Sequence, residues 1–222
     1  MKVIAVNGSP RKTWNTATLL QKALEGAASQ GAETELIHLY DLNFKGCGSC
    51  FGCKTKGGKS YGRCAMQDDL TPLLQRIEKE DCALILGSPM YFGGVTGEMK
   101  SLMERLVFPY LVYSDPPGSC CPRKIQTGLI YTMNCPEAFI KQVNYDRYFA
   151  QNEGMMARIL GACESLYSYD TLQFEDYSKM MADWMDPQKK MQRHLEVFPQ
   201  DCQKAFEMGA RFATAGNGGT SQ

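Results

Sequence analysis

Cys47, Cys50, Cys53 and Cys64 put four thiols in one short stretch, the first three separated by two residues each. That spacing lets neighbouring thiolates converge on an iron–sulfur cube, and four thiolates also suit tetrahedral zinc. The Lys54–Arg63 insert before the fourth cysteine is rich in Lys and Gly, so thiols that stay free or pair as disulfides are the third alternative. A second chemistry lies in Asn7-Gly8-Ser9-Pro10-Arg11-Lys12-Thr13-Trp14-Asn15-Thr16. At a helix N-terminus, the hydroxyls of Ser9 and Thr16, the amide of Asn15 and the cation of Arg11 would join unpaired N–H groups in holding a phosphate. The plainer alternative is that Asn15 and Thr16 only cap that helix. That loop contains neither G-x-G-x-x-G nor G-K-[ST], so it is neither a dinucleotide fingerprint nor a Walker-type loop. A third candidate is Gly87-Ser88-Pro89-Met90-Tyr91-Phe92-Gly93-Gly94-Val95-Thr96-Gly97. Its glycines allow close backbone approach and its aromatics offer a flat apolar platform to a planar ligand. The same rings would also suit a subunit contact.

Positioning these groups requires particular elements. Lys2–Val6 is a short β-branched run that reads as a strand, and Thr16–Ala28 shows helical spacing stopped by Gly31. Glu33–Leu39 alternates as a second strand, Asp69–Lys79 is helical, and Cys82–Leu86 is apolar enough to be buried on both faces. Asp68 and Asp69 are expected to cap and open that second helix. Gly97–Phe108 is helical and Thr127–Thr132 is a fourth strand. Ala138–Leu160 is helical with an interruption near Asn152-Glu153-Gly154, and Cys163–Tyr169 is a fifth strand. Asp170–Pro187 is irregular. Gln188–Ala215 is helical with a bend at Pro199, before a polar Gly216–Gln222 tail expected to fray. Alternating strands and helices predict an α/β fold: a three-layer, doubly wound, five-stranded parallel sheet with a C-terminal helical extension. Residues 1–170 form the main unit with a cysteine-rich insertion at 46–68, and 171–222 extend the same domain.

The chain has 222 residues, with 24 Lys+Arg against 24 Asp+Glu. That balance gives no field suited to nucleic acid. Apolar runs fall far short of the roughly 18 residues a membrane span needs, and the short N-terminal apolar stretch does not read as a signal peptide. A cytoplasmic protein is expected, with the scattered Cys82, Cys120, Cys121, Cys135, Cys163 and Cys202 read as small buried hydrophobes, apart from Cys120-Cys121, which beside Pro116-Pro117-Gly118 reads as a loop pair with reactive thiols.

Gly8-Ser9-Pro10-Arg11 with Asn15-Thr16, then Ser88-Pro89-Met90-Tyr91-Phe92-Gly93 and Met99-Lys100 with Glu104-Arg105, resembles the NADPH-dependent FMN reductase family of flavodoxin-like proteins. Cys47-Gly48-Ser49-Cys50-Phe51-Gly52-Cys53 with Cys64 and Asp68-Asp69 is similar to its iron–sulfur flavoprotein branch. The resemblance covers about residues 1–135. It implies that Ser9, Arg11, Asn15, Thr16 and Ala17 hold the FMN phosphate. Pro89, Met90, Tyr91, Phe92 and Gly93 would line the isoalloxazine, with the loop from Thr132 on the ring's other side. Two departures stand out: Trp14, where the family more often has a small residue, and the long gap between Cys53 and Cys64. Trp14 would stack near the cofactor or against a neighbouring subunit.

The implied activity is an FMN-dependent oxidoreductase. It is either an NAD(P)H:acceptor reductase acting on a quinone, nitro compound or flavin, or an iron–sulfur flavoprotein exchanging electrons with a ferredoxin-like carrier through a 4Fe–4S cluster on Cys47, Cys50, Cys53 and Cys64. Since the flavin carries the chemistry, no side chain is expected to act as acid or base, and His38 and His194 are expected to be structural or solvated. The alternative is an electron-transfer module like flavodoxin, without its own substrate, although flavodoxins tend to be acidic and this chain is neutral. The Tyr91-Phe92 loop and the Met/aromatic segment Tyr177–Met185 predict a homodimer or homotetramer.

Overall fold

The computed structural model describes residues 1–215, so the Gly216–Gln222 tail lies outside the described residues. Along the chain run β1 (Lys2–Asn7), α1 (Asn15–Ser29), β2 (Glu33–His38), α2 (Thr71–Lys79), β3 (Cys82–Tyr91), β4 (Gly94–Val95) and α3 (Gly97–Val107). They are followed by β5 (Leu111–Val112), β6 (Gly118–Ser119), β7 (Thr127–Thr132), α4 (Tyr145–Ile159), β8 (Cys163–Ser168), α5 (Pro187–Glu196) and α6 (Phe198–Ala215). Five strands form a parallel sheet in the order β2-β1-β3-β7-β8. The direction of winding reverses between β1 and β3, the switch point at whose carboxyl edge open α/β sheets bind ligands.

Strand alternation sorts the core onto two faces. Ile4, Val6, Leu84, Leu86, Leu129 and Tyr131 pack against α2, α3 and α4. Val3, Ala5, Ala83, Ile85, Ile130 and Leu166 pack against α1 and α6. The last helix is therefore a layer of the core. Its seam with α1 depends on small residues: a Cβ at Gly26 would lie 1.9 Å from the Phe206 carbonyl oxygen, and one at Gly209 would lie 1.7 Å from that of Ala23. Among the described residues no helix is long and apolar enough to cross a membrane.

The structure differs from the sequence reading at several points. β3 runs on to Tyr91, so Ser88–Tyr91 of the aromatic platform is strand, and the hairpin to β4 replaces a loop. α4 is unbroken through Asn152–Gly154, where Asn152 is buried and donates to the Tyr131 hydroxyl at 3.3 Å. The break comes earlier, at left-handed Asn144. The C-terminal bend falls at Val197, and Pro199 sits in the first turn of α6, where its missing N–H costs nothing. The β5–β6 hairpin had no clear signal. Of the six scattered cysteines only Cys82 is fully buried.

An ion-pair network ties the edge strand to α2. Arg76 Nη1 donates to Glu35 Oε1 at 2.9 Å, its Nη2 reaches Oε2, and Lys2 Nζ stands 2.9 Å from the same Oε2. The Arg76 hydrogen bond outweighs the opposing effect of burial and brings Glu35 from 4.5 down to about 2. A depressed carboxylate stabilises the fold above its unfolded value, and that contribution is lost as pH falls through the folded one. Glu35→Gln is thus expected to lower stability at pH 7 by about 1 kcal/mol, a figure reduced for partial exposure. It should also flatten the acid loss between pH 4.5 and about 2, read by thermal unfolding across that range.

Candidate functional site

The chain leaves β1 at Asn7, whose side chain shapes the following turn: Oδ1 accepts from Ser9 N–H at 3.0 Å and Nδ2 meets His38 Nδ1 at 3.0 Å. Ser9, Asn15, Thr16 and Ala17 are all buried. Trp14, not Asn15 or Thr16, occupies the cap position of α1 and makes no side-chain cap hydrogen bond. The first intrahelical bond runs from Thr18 N–H to the Trp14 carbonyl at 2.9 Å. Helix geometry therefore leaves the N–H groups of Asn15, Thr16 and Ala17 pointing out of the N-terminus, where they suit an anion.

The side chains expected to cap are used elsewhere. Asn15 Nδ2 donates to the Leu172 carbonyl at 2.8 Å, and Thr16 Oγ1 meets Thr132 Oγ1 at 2.7 Å. Arg11 Nη1 donates to the Gln173 carbonyl at 2.8 Å, and its guanidinium lies 4.3 Å from the centre of the Trp14 ring. Trp14 Nε1 donates to the Leu172 carbonyl at 3.1 Å. Trp14 therefore orders the phosphate-type loop and anchors the segment after β8. Burial lowers the Arg11 guanidinium below its ordinary value, with Tyr91 and Glu175 acting in the opposite sense.

The second wall is the end of β3. Ser88 Oγ accepts from Thr96 N–H at 3.1 Å and Thr96 Oγ1 donates to the Gly8 carbonyl at 2.7 Å, which locks the hairpin to the first loop. Phe92 and Gly93 form its two-residue turn between the paired Tyr91 and Gly94, both with positive φ (49° and 88°). A type I′ turn demands this backbone, yet Phe adopts it at a cost, and the Phe92 ring is fully exposed. Phe92→Gly is expected to stabilise the isolated chain by about 1 kcal/mol, measured by thermal unfolding.

Ser9, Arg11, Asn15, Thr16, Pro89, Met90, Tyr91 and Thr132 line one cleft of about 220 Å³. Phe92 and Gly93 form the hairpin turn that follows Tyr91, and neither they nor Ala17 line the cleft. Asn134, in the loop from Thr132 expected beside the ring, also lines the cleft, as do Leu172, Gln173 and Phe174, which residue types alone did not single out. The position of these last three after the fifth sheet strand, at the carboxyl edge, is the signal that would have. Buried polar groups at a helix N-terminus beside an apolar strand end suit a ligand with a phosphate and a planar ring, so the residues fit FMN.

Residues 1–118 match the NADPH-dependent FMN reductase family. The chain belongs to that family. Among curated proteins, this family member is 43% identical over 105 residues to an iron–sulfur flavoprotein of Methanocaldococcus jannaschii, covering 47% of this chain and 51% of that one. It is 40% identical over 105 residues to an iron–sulfur flavoprotein of Archaeoglobus fulgidus, covering 47% and 48%. The match thus spans about half the length of these relatives. Among solved structures it is similar to an NAD(P)H:quinone oxidoreductase from Methanothermobacter marburgensis, with a TM-score of 0.67 at 14% identity over 95% of this chain and 98% of that one. It is also similar to an FMN-dependent NADH-azoreductase of Bacillus anthracis in complex with FMN, with a TM-score of 0.63 at 12% identity, covering 96% and 100%. These likenesses establish the flavodoxin-like fold.

The FMN reductase fold here carries its cysteines on a loop braced at both ends. Lys54 Nζ donates to the carbonyls of Phe108 (2.5 Å), Pro109 (3.0 Å) and Leu111 (2.5 Å). At the other end the fully buried Arg105 donates through Nε to Cys64 Sγ at 3.3 Å, and through Nη1 to the Lys45 carbonyl (3.0 Å) and Asp68 Oδ2 (2.5 Å). Asp68 also accepts from Leu70 N–H, while Asp69 accepts from Asn43 N–H, so neither opens α2 as a simple cap. Cys53 is buried, Cys64 half-buried, and Cys47 and Cys50 exposed, with Ser49 and Phe51 in left-handed backbone between them. Burial pushes the Cys53 thiol up, partly offset by Lys54. Four thiols match a cluster's donor chemistry. As placed, however, no three His, Cys, Asp or Glu side chains among the described residues are grouped to hold a metal ion.

Proposed function

We propose that this chain is an FMN-dependent oxidoreductase that takes electrons from NAD(P)H and passes them to a small acceptor such as a quinone, nitro compound or flavin. The observation that carries this reading is the convergence of the α1 N-terminus and the β3–β4 hairpin on one cleft at the sheet's switch point. Ser9, Arg11 and the first-turn N–H groups through Ala17 would hold the phosphate. Pro89 to Gly93 and Thr132 would flank the ring. FMN would supply the electron and hydride chemistry; the protein's part is to bind the cofactor, orient it and leave one ring face open to a donor. Turnover of NADPH with a quinone by the FMN-loaded chain tests this. No turnover with any nicotinamide or acceptor would favour an electron-transfer module.

Cys47, Cys50, Cys53 and Cys64 are the finer part of the proposal, as ligands of a 4Fe–4S cluster that would supply one-electron exchange with a ferredoxin-like carrier. The donor set and the name of the curated relatives support it. Assembly as a homodimer or homotetramer in the cytoplasm belongs to the same proposal, supported by the exposed Phe92, Met181 and Trp184. Light scattering reads it, and Phe92→Gly should shift the population toward smaller species.

A further inference from the structure

Lys190 of α5 is 6% exposed, although it is a lysine on an otherwise solvated helix. Its ammonium contacts the Asp170 carboxylate and donates to Asn134 Oδ1 at 2.5 Å and to the Asn134 carbonyl at 3.3 Å. An ammonium has donors and no acceptor, so the amide atom it touches must be oxygen. The orientation of this amide, usually settled only by its network, is therefore fixed by a cation. The Nδ2 branch makes no hydrogen bond to another described residue, and Asn134 lines the cleft together with Thr16, Tyr91 and Thr132.

We infer that Asn134 Nδ2 is a hydrogen-bond donor to the polar edge of the FMN ring, and that Lys190 is the positioning residue that keeps it a donor. This rests on the proposed FMN function. The edge of an isoalloxazine rich in carbonyl and ring-nitrogen acceptors needs donors, and reduction increases the negative charge they face. Neither residue belongs to the motifs that carry the family resemblance. Helix α5, which supplies Lys190, is braced against α6 by Arg193, which donates to Asp201 at 2.5 Å. Through α5, the C-terminal segment holds one wall of the cofactor cleft.

Asn134→Asp keeps an oxygen facing Lys190 and replaces the donor with a carboxylate oxygen of similar size. Wild type, Asn134→Asp and Lys190→Met are compared by flavin-fluorescence titration, by the midpoint potential of bound FMN and by thermal unfolding. The expected result for Asn134→Asp is FMN binding weaker by about tenfold or more and a more negative potential, with unfolding near wild type. Lys190→Met is expected to shift potential and affinity in the same direction by less. If Lys190→Met does not fold, Asn134→Asp decides alone. Wild-type affinity and potential in Asn134→Asp would overturn the inference. Failure of the wild type itself to bind FMN would instead overturn the function it rests on.

Discussion

Arg105→Met is expected to destabilise the fold by about 3–5 kcal/mol, the range for removing one member of a buried ion pair. The Arg105 side chain is 0% exposed and Asp68 only 17%. Burial alone would push the Asp68 carboxyl up, but the Arg105 hydrogen bond and charge outweigh it and hold the group below its ordinary value. Removing the guanidinium strands that carboxylate, leaves the Lys45 carbonyl without its donor and releases Cys64. The double variant Arg105→Met/Asp68→Asn should recover part of the loss, because no uncompensated charge then remains. Urea unfolding of the wild type and these two variants checks this. Equal loss in the single and double variants would show that the guanidinium acts through packing alone.

Asn15→Asp is expected to weaken FMN binding by about a hundredfold or more. The change is nearly isosteric, but it exchanges a donor for a carboxylate at the α1 N-terminus, where the phosphate is proposed to sit. Like charges brought together in this way cost several kcal/mol, and each factor of ten corresponds to about 1.4 kcal/mol. The same carboxylate would face the Leu172 carbonyl that Asn15 Nδ2 now satisfies at 2.8 Å, so the segment after β8 should loosen as well. An FMN titration of the variant, with circular dichroism to confirm the fold, reads the effect. Unchanged affinity would move the phosphate away from Asn15.

Much of this architecture was legible in the residues. Buried parallel strands such as Lys2–Val6 and the Cys82–Leu86 part of β3 announce themselves as apolar runs, since both faces are covered. Gly and Pro between such runs mark the loops. The phosphate-type loop and the aromatic strand end were visible because their residue types have few other uses together. Boundaries set by tertiary contacts were not visible. Gly154 suggests a break that the packing of Asn152 against Tyr131 overrides, and Pro199 suggests a bend where it only opens a helix. Leu172 and Gln173 enter the cleft through backbone carbonyls, which no side-chain pattern encodes. Lys190 reads as one more charge on a polar helix until the fold buries it against Asn134. The cysteine spacing gave the donor set but not its arrangement, because Cys47 and Cys50 stand on an exposed loop.

The claim that the cleft between the α1 N-terminus and the β3–β4 hairpin is an FMN site is tested most directly by titrating the purified chain with FMN and following flavin fluorescence. The expected result is saturable, equimolar quenching that Asn15→Asp largely abolishes. Absence of saturable binding in the wild type, or binding that Asn15→Asp leaves untouched, would contradict it.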